Sequence, residues 1–89
     1  MSREYEVALS RTAEKELKGL HPGVGGQIRQ RLLELEADPR PQDVKRLRGT
    51  ERDYRVDSGE YRILYEIDDS RRRVEVWRIG HRKDVYRNL

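Results

Sequence analysis

The stretch YRVDSGEYRILYEI, residues 54–67, indicates two short strands joined by a tight turn. Apolar and polar residues alternate on both sides of Ser58 and Gly59, and such alternation is typical of strands with one buried face. Serine and glycine are favoured in two-residue hairpin turns. The hairpin therefore predicts one apolar face, formed by Tyr54, Val56, Tyr61, Ile63, Tyr65 and Ile67.

Two arginines, Arg55 and Arg62, interrupt these strands on the opposite face. A turn at Ser58-Gly59 would place them directly across from each other, and facing like charges destabilise a sheet by roughly a few tenths of a kcal/mol. Two explanations remain open: Asp57 and Glu60 bridge the pair, or the pair binds a phosphate group. We favour the phosphate because departures from local rules concentrate at functional sites.

Two further strands are predicted, one near each end of the chain. The segment REYEVAL, residues 3–9, alternates apolar and polar residues and predicts a first strand. The segment RRRVEVWRIG, residues 71–80, predicts a last strand. Its alternation assigns Trp77 and Ile79 to the core. We predict a short tail in residues 81–89.

Two amphipathic helices are predicted between the first strand and the hairpin. The segment SRTAEKELKGL predicts a helix capped by Ser10 or Thr12. The segment HPGVGG then predicts a break, and His21 is interpreted as a residue at a helix end. A second helix is predicted after the break and runs to about Asp38. A short break favours an antiparallel helix hairpin. The predicted fold class is therefore α+β, in the order β-α-α-β-β-β, with an antiparallel sheet and the helix hairpin on one face.

Composition limits the functions that the chain can have. Its 89 residues predict one domain, 1–89, and only 34% are apolar, which predicts a thin core that gains stability from a partner. The chain has no cysteine, so disulfides and thiolate metal sites are excluded. No apolar run is long enough to span a membrane. We therefore expect a cytoplasmic protein without membrane contacts.

Positive charge is concentrated in the second part of the chain. Residues 39–89 hold 14 Lys or Arg against 10 Asp or Glu, and 12 of the 14 are arginine. Arginine presents a planar, permanently charged group that fits phosphate. This half therefore predicts a polyanionic partner, although a solvated sheet face with salt bridges is an equally good explanation of composition alone.

The segments GEYRILYEID (residues 59–68) and IGHRKDVY (residues 79–86), together with SRTAEKELKGL, resemble the RelE/ParE superfamily of toxins. The resemblance covers essentially the whole chain. It implies a twisted sheet and a type II toxin–antitoxin system, in which a RelB-like antitoxin wraps the toxin and contacts operator DNA as part of the complex. RelE-like members cleave mRNA in the ribosomal A site, whereas ParE-like members inhibit DNA gyrase.

The resemblance also implies site residues for cleavage, which needs no cofactor or metal. Arg55, Arg62, Arg82 and Tyr86 match the RelE-type site, with Tyr86 in the position that stacks on an mRNA base. His81 is a further candidate, for proton transfer. The expected reaction is attack of the ribose 2′-oxygen on the adjacent phosphate, which gives a 2′,3′-cyclic phosphate and a free 5′-hydroxyl.

Four more basic residues are predicted to hold RNA phosphates rather than to take part in the chemistry. A solvated basic rim is an equally good interpretation of any one of them. They are Lys45, Arg46, Arg48 and Lys83.

Asp57 departs from the family pattern, because many RelE-like toxins carry a second Lys or Arg at this position. A carboxylate there would repel phosphate. Asp57 therefore keeps open a cleavage-impaired protein that still binds its antitoxin. A gyrase inhibitor is the other alternative to an mRNA endonuclease, because the superfamily contains both activities.

Overall fold

Two helices and five strands follow one another in the computed structural model, which describes residues 4–87. The predicted first strand begins at Arg3 and the predicted tail ends at Leu89, so both extend outside the described residues. The elements are β1 Glu6–Leu9, α1 Arg11–Lys18, α2 Pro22–Ala37, β2 Lys45–Arg46, β3 Asp53–Ser58, β4 Tyr61–Asp68 and β5 Arg73–His81.

The strands form one sheet in the order β1-β5-β4-β3-β2, and both helices lie on one face of it. The predicted α+β class is confirmed. The sheet differs from the prediction in two details: β1 pairs parallel with β5, and the two-residue strand β2 adds an antiparallel edge to β3. The helix pair connects β1 to the rest of the sheet, and such a crossover allows parallel pairing. The sequence did not predict β2, because its two residues are too few to show the alternation typical of a strand.

The hairpin of β3 and β4 has a different register from the predicted one. Its turn is Gly59-Glu60, so Ser58 pairs with Tyr61 and Asp57 pairs with Arg62. Gly59 has a φ of 59°, which suits the first central position of a type II′ turn. The predicted facing of the two arginines is therefore wrong. Because the register differs by two residues, every side chain still lies on its predicted face.

Side chains cap the start of each helix. The Ser10 hydroxyl accepts a hydrogen bond from the Ala13 N–H at 3.0 Å, and the imidazole of His21 accepts one from the Gly23 N–H at 3.1 Å. The break between the helices is therefore shorter than predicted, because α2 already begins at Pro22 and includes the glycines. Gly25 is buried against α1, where a side chain would approach the Leu17 carbonyl.

The core lies between the helices and the sheet face that the hairpin pattern predicted. Aliphatic side chains of both helices contact this face, and the buried Tyr65 hydroxyl donates to the Pro39 carbonyl at 2.7 Å. The buried cluster consists of Ala13, Leu17, Ile28, Leu32, Leu35, Tyr54, Val56, Ile63, Tyr65, Ile67, Val74, Val76 and Ile79.

A β-bulge in β5 reverses the predicted orientation of Trp77. Tyr65 of β4 pairs with Val76, but the preceding residue, Leu64, pairs with Arg78, so Trp77 has no partner. The extra residue lets Val76 and Ile79 both face the core, although simple alternation separates them. The prediction that Trp77 belongs to the core is therefore wrong, and its side chain lies on the opposite face.

Residues 82–87 fold back onto that opposite face as a series of turns. Val85 is 1% exposed, and its side chain packs against Gly80. A Cβ atom added to Gly80 would lie 3.5 Å from the Val85 side chain. Leu64 is also fully buried and, like Val85, lies outside the main cluster. The face away from the helices is therefore partly covered by the tail. Within residues 4–87, neither helix is long and apolar enough to cross a lipid bilayer.

Asp69 joins three distant segments of the chain. Both oxygens accept hydrogen bonds from the Arg40 guanidinium, at 3.0 and 2.8 Å, and Tyr5 donates to one of them at 2.6 Å. The hydrogen bonds from Arg40 and then from Tyr5 lower the pKa of Asp69 to about 2. Arg40 also lies over the Tyr54 ring, with 5.2 Å between its Cζ and the ring centroid.

We expect Asp69→Asn to lower the melting temperature at neutral pH by removing these charged hydrogen bonds. Because the folded-state pKa of Asp69 lies below its unfolded value of about 3.9, its stabilisation is present above pH ~4 and is lost as the pH falls toward 2. The difference between wild type and variant should therefore shrink over this range in thermal melts. Asp84→Asn is the control, and a constant difference from neutral pH to pH 2 would contradict the assignment.

Candidate nucleic-acid interface

Basic side chains from two strands meet on the sheet face away from the helices. Arg55 of β3 and Arg62 of β4 both lie there, and Lys45 of β2 is directly opposite Arg55. The two arginine side chains are only 20% and 24% exposed, because neighbouring side chains cover their stems. We refer to Arg55, Asp57, Arg62 and Tyr86 as the arginine site.

Asp57 lies between the two arginines. One of its oxygens is 3.2 Å from Arg62 Nε and 3.8 Å from Arg55 Nη1. Glu60, the other predicted bridge, pairs with Arg82 instead, at 2.8 Å. Of the two explanations for the arginine pair, internal bridging is therefore present, and Asp57 alone provides it.

The ion pairs with Asp57 leave hydrogen-bonding capacity unused. Arg55 Nη1 and Arg62 Nε are buried, yet neither finds an acceptor with hydrogen-bond geometry within residues 4–87. Asp57 is close enough to both arginines to neutralise charge. The N–H bonds of Arg55 Nη1 and Arg62 Nε nevertheless do not point at its oxygens. A buried donor without an acceptor costs about 1–3 kcal/mol, and an anion that displaces the Asp57 carboxylate would supply the missing acceptors.

The tail places an aromatic ring beside this pair. The Tyr86 ring centroid lies 5.6 Å from Arg62 Cζ, and the residue is 39% exposed. Burial of the preceding Val85 anchors the tail at this point. The arginine site therefore combines two guanidinium groups with an exposed aromatic face.

The other two predicted catalytic residues, Arg82 and His81, form no ion pair or ring contact with a member of this site within residues 4–87. Arg82 is exposed at the hairpin tip, where it pairs with Glu60. His81 pairs with Tyr61 on the helix side of the sheet, with 5.5 Å between the ring centroids. Its Nδ1 accepts a hydrogen bond from the Lys83 N–H at 3.1 Å. The structure does not bring the imidazole of His81 to the arginine site.

The predicted RNA-binding residues are also dispersed. Lys45 joins the arginine face, whereas Arg46 lies on the other face, with its Cζ 5.7 Å from the Tyr54 ring centroid. Arg48 is exposed in the turn before β3, and Lys83 is exposed in the tail. Only Lys45 is therefore placed beside the arginine pair.

Two residues that the sequence analysis did not consider hold the tail. Arg78 Nε donates to Glu16 at 3.0 Å, and Arg78 Nη1 donates to the Arg87 carbonyl at 3.4 Å. The same Glu16 carboxylate accepts the N–H of Ile79 at 2.8 Å. No local sequence signal reveals this link, because Glu16 lies on α1 and Arg78 on β5.

The arginine site can bind an anion, but its means of proton transfer are limited. Asp57, Lys45 and the Tyr86 hydroxyl are the titratable groups beside the arginines, and no hydrogen bond or ion pair joins any two of these three within the described residues. Residues 4–87 also contain no group of three or more His, Asp or Glu side chains that could hold a metal ion. The arrangement therefore favours phosphate binding and charge neutralisation over strong acid–base chemistry.

Comparison with known proteins agrees with this fold. Residues 7–86 match the family described as the ParE toxin of the type II toxin–antitoxin system, parDE. The toxin RelG of Mycobacterium tuberculosis is 30% identical over 84 residues, which cover 93% of this chain and 97% of RelG. The chain therefore belongs to the ParE toxin family, within the RelE/ParE superfamily of type II toxins.

Solved structures of the superfamily share the fold. The archaeal RelE–RelB complex of Pyrococcus horikoshii superimposes with a TM-score of 0.80 at 24% identity, over 92% of this chain and 99% of the other. The intact Escherichia coli RelBE toxin–antitoxin complex superimposes with a TM-score of 0.77 at 29% identity, over 86% and 95% of the two chains.

We expect Asp57→Asn to change stability and anion binding in opposite directions. The two arginines lose their shared carboxylate, so the free energy of unfolding should fall by up to about 1 kcal/mol. Inorganic phosphate should then raise the melting temperature more in the variant than in wild type, because ligand binding to the folded state stabilises it. Asp84→Asn, which removes an exposed carboxylate beside Arg87, is the matched control. Equal phosphate effects in all three proteins would rule out an anion site here.

Proposed function

We propose that this toxin is a ribosome-dependent mRNA endonuclease. The observation that carries the proposal is the arginine site, in which two buried guanidinium nitrogens lack acceptors beside an exposed tyrosine. A phosphodiester supplies acceptor oxygens for Arg55 and Arg62. An RNA base next to that phosphate can stack on Tyr86, a contact worth roughly 1–3 kcal/mol.

The reaction at such a site is an intramolecular phosphoryl transfer. The ribose 2′-oxygen forms a bond to phosphorus while the bond from phosphorus to the 5′-oxygen breaks, which leaves a 2′,3′-cyclic phosphate. The 2′-hydroxyl loses its proton to a base, and the departing 5′-oxygen takes up a proton. Arg55 and Arg62 would neutralise the extra negative charge that develops on the phosphorane oxygens.

The ribosome would supply what the arginine site lacks. Asp57 and Tyr86 offer no strong acid–base pair, so orientation of the mRNA must provide much of the rate enhancement. Asp57 also competes with phosphate for both arginines, which favours a toxin of modest potency. Free single-stranded RNA should accordingly be a poor substrate.

Basic residues outside the arginine site would position the toxin on RNA. Lys45 is the nearest to the arginine pair, and the other cations lie on exposed surfaces. Contacts of this kind bind phosphate without reading sequence and weaken as salt rises. The proposed phosphate contacts are Lys45, Arg46, Arg48, Arg82 and Lys83.

A RelB-like antitoxin is the proposed regulatory partner. Similar toxins from Pyrococcus horikoshii and Escherichia coli were crystallised with such antitoxins. An antitoxin that covers the arginine site with acidic side chains would block phosphate and stabilise the thin core by mass action. Contact with operator DNA would come through this complex, and the toxin would act in the cytoplasm, where mRNA is translated.

Inhibition of DNA gyrase is the second candidate function, because the family model that matches the chain is named for ParE. A gyrase inhibitor needs a binding surface and no phosphoryl-transfer chemistry. The two functions differ in cells: an endonuclease cuts mRNA within codons, whereas a gyrase inhibitor damages DNA and leaves mRNA intact.

We expect Arg62→Ala to abolish mRNA cutting and toxicity. Loss of one positioned group that stabilises transition-state charge typically reduces the rate by about 10²–10³-fold. Arg55→Ala should have a smaller effect because Arg62, and not Arg55, lies against the Tyr86 ring. Primer extension on a reporter mRNA, with a growth assay, measures both properties. Arg29→Ala, an exposed arginine on α2, is the control, and full cutting by Arg62→Ala would contradict the proposal.

Two substitutions of Tyr86 separate stacking from chemistry. If the ring stacks on a base, we expect Tyr86→Phe to retain most cutting and Tyr86→Ala to lose 10-fold or more, which corresponds to about 1.4 kcal/mol. The same primer-extension assay measures both variants. Equal loss in the two would instead assign the hydroxyl a part in proton transfer.

A further inference from the structure

The face that carries the arginine site also carries a groove of opposite charge. The groove has a volume of about 370 Å³ and is lined by Asp53, Glu66, Glu75 and Trp77. We refer to these four residues as the acidic groove. None of them belongs to the arginine site.

Strand register brings the three carboxylates into one row across the sheet. Asp53 of β3 pairs with Glu66 of β4, and Glu66 pairs with Glu75 of β5. Facing like charges destabilise a sheet, so this row opposes folding.

Partners within the chain compensate only the two ends of the row. Glu75 accepts a hydrogen bond from Arg73 Nε at 2.9 Å, and Asp53 accepts one from the Thr50 hydroxyl at 2.9 Å. No hydrogen bond or ion pair engages the central carboxylate, Glu66, within the described residues. The centre of the row is therefore an uncompensated negative charge.

Trp77 adds an aromatic side chain without a hydrogen-bond partner among residues 4–87 to the same groove. The bulge in β5 turns its side chain onto this face, and the indole Nε1 is buried without an acceptor. Its side chain lines the groove together with the three carboxylates. An aromatic surface beside carboxylates binds guanidinium and ammonium groups, through cation–π contact and charge pairing.

The chemistry of the groove favours a peptide over RNA. Three carboxylates repel a phosphate backbone, whereas a basic side chain can pair with Glu66 and lie against the Trp77 ring. Asp53 and Arg55 are two residues apart on β3, roughly 7 Å along the strand. A partner that covers this face must therefore present acidic groups to the arginine site and a basic group beside them.

We infer that the acidic groove receives an arginine or lysine side chain of the antitoxin. This inference rests on the proposed antitoxin partnership and adds a contact of opposite sign to it. The acidic residues of the antitoxin would neutralise Arg55 and Arg62. Its basic residue would neutralise Glu66, so the antitoxin is held by a charge pattern and not by negative charge alone.

The inference is tested by measuring the affinity of the toxin for its cognate antitoxin. We expect Glu66→Gln to weaken the complex about 10-fold and Glu66→Lys to weaken it more, while both free variants melt at or above the wild-type temperature because the carboxylate repulsion is relieved. A role in folding alone would lower the melting temperature instead. Glu51→Gln, an exposed carboxylate in the turn before β3, is the control and should bind like wild type.

Trp77 reports directly on the groove because it is the only tryptophan in the chain. An antitoxin whose own tryptophans are replaced by phenylalanine should change its emission on binding to wild type, and less so on binding to Glu66→Gln. Equal affinity of wild type and Glu66→Gln, with unchanged emission, would overturn the inference and leave the partnership intact. Absence of any complex with wild type would overturn both.

RNA is the competing ligand for this groove. A single-stranded oligonucleotide should leave Trp77 emission unchanged, because its phosphates are repelled by the carboxylates. An oligonucleotide that changes the emission in wild type but not in Glu66→Gln would overturn the inference and assign the groove to a base.

Discussion

The pairing of β3 with β4 determines the position of both charged sites on the sheet. Gly59 adopts a positive φ at the start of the turn, so Ser58 and Tyr61 become the last pair of the hairpin. This register places a carboxylate opposite Arg62, and the same register sets two carboxylates opposite each other near the far end of the strands. A shift of two residues would keep every side chain of the hairpin on its present face and yet give each charge on the outer face a new cross-strand neighbour. The apolar pattern alone therefore does not distinguish between the two registers.

The tail depends on a second constraint, the bulge in β5. The bulge keeps the aliphatic residues of β5 on the core face and turns Trp77 outward. Beyond the bulge, the N–H of Ile79 donates to Glu16 of α1, and the same carboxylate accepts a hydrogen bond from Arg78. Arg78 in turn contacts the tail at the carbonyl of Arg87. Helix α1 and the segment that carries Tyr86 are thus linked through one arginine, so the geometry of the arginine site depends on packing beyond the sheet.

Separation of charge on one face explains how a chain with 42% charged residues has a modest net charge of +3 and still presents a basic site. On this face Lys45, Arg55 and Arg62 lie toward the hairpin turn, whereas Asp53, Glu66 and Glu75 lie toward the other end of the strands. A polyanion is attracted to the first region and repelled by the second, which restricts the path of a bound strand. A protein partner can contact both the basic and the acidic region. The pattern of charge can therefore select a partner, which net charge alone cannot do.

The amino-acid sequence determined the fold class, both helices, the apolar face of the hairpin and the family, because these follow from short-range periodicity and from motifs of adjacent residues. It also selected Arg55, Arg62 and Tyr86, which tertiary structure then placed together. Their catalytic roles remain predictions. Only the tertiary structure decided the hairpin register, the outward orientation of Trp77, the pairing of Arg82 with Glu60 and the position of His81 on the helix side of the sheet. The physical reason is that a two-residue shift or a single bulge leaves the hydrophobic pattern almost unchanged, whereas cross-strand neighbours depend on turn geometry and on contacts such as Glu16 with β5, which no local pattern encodes.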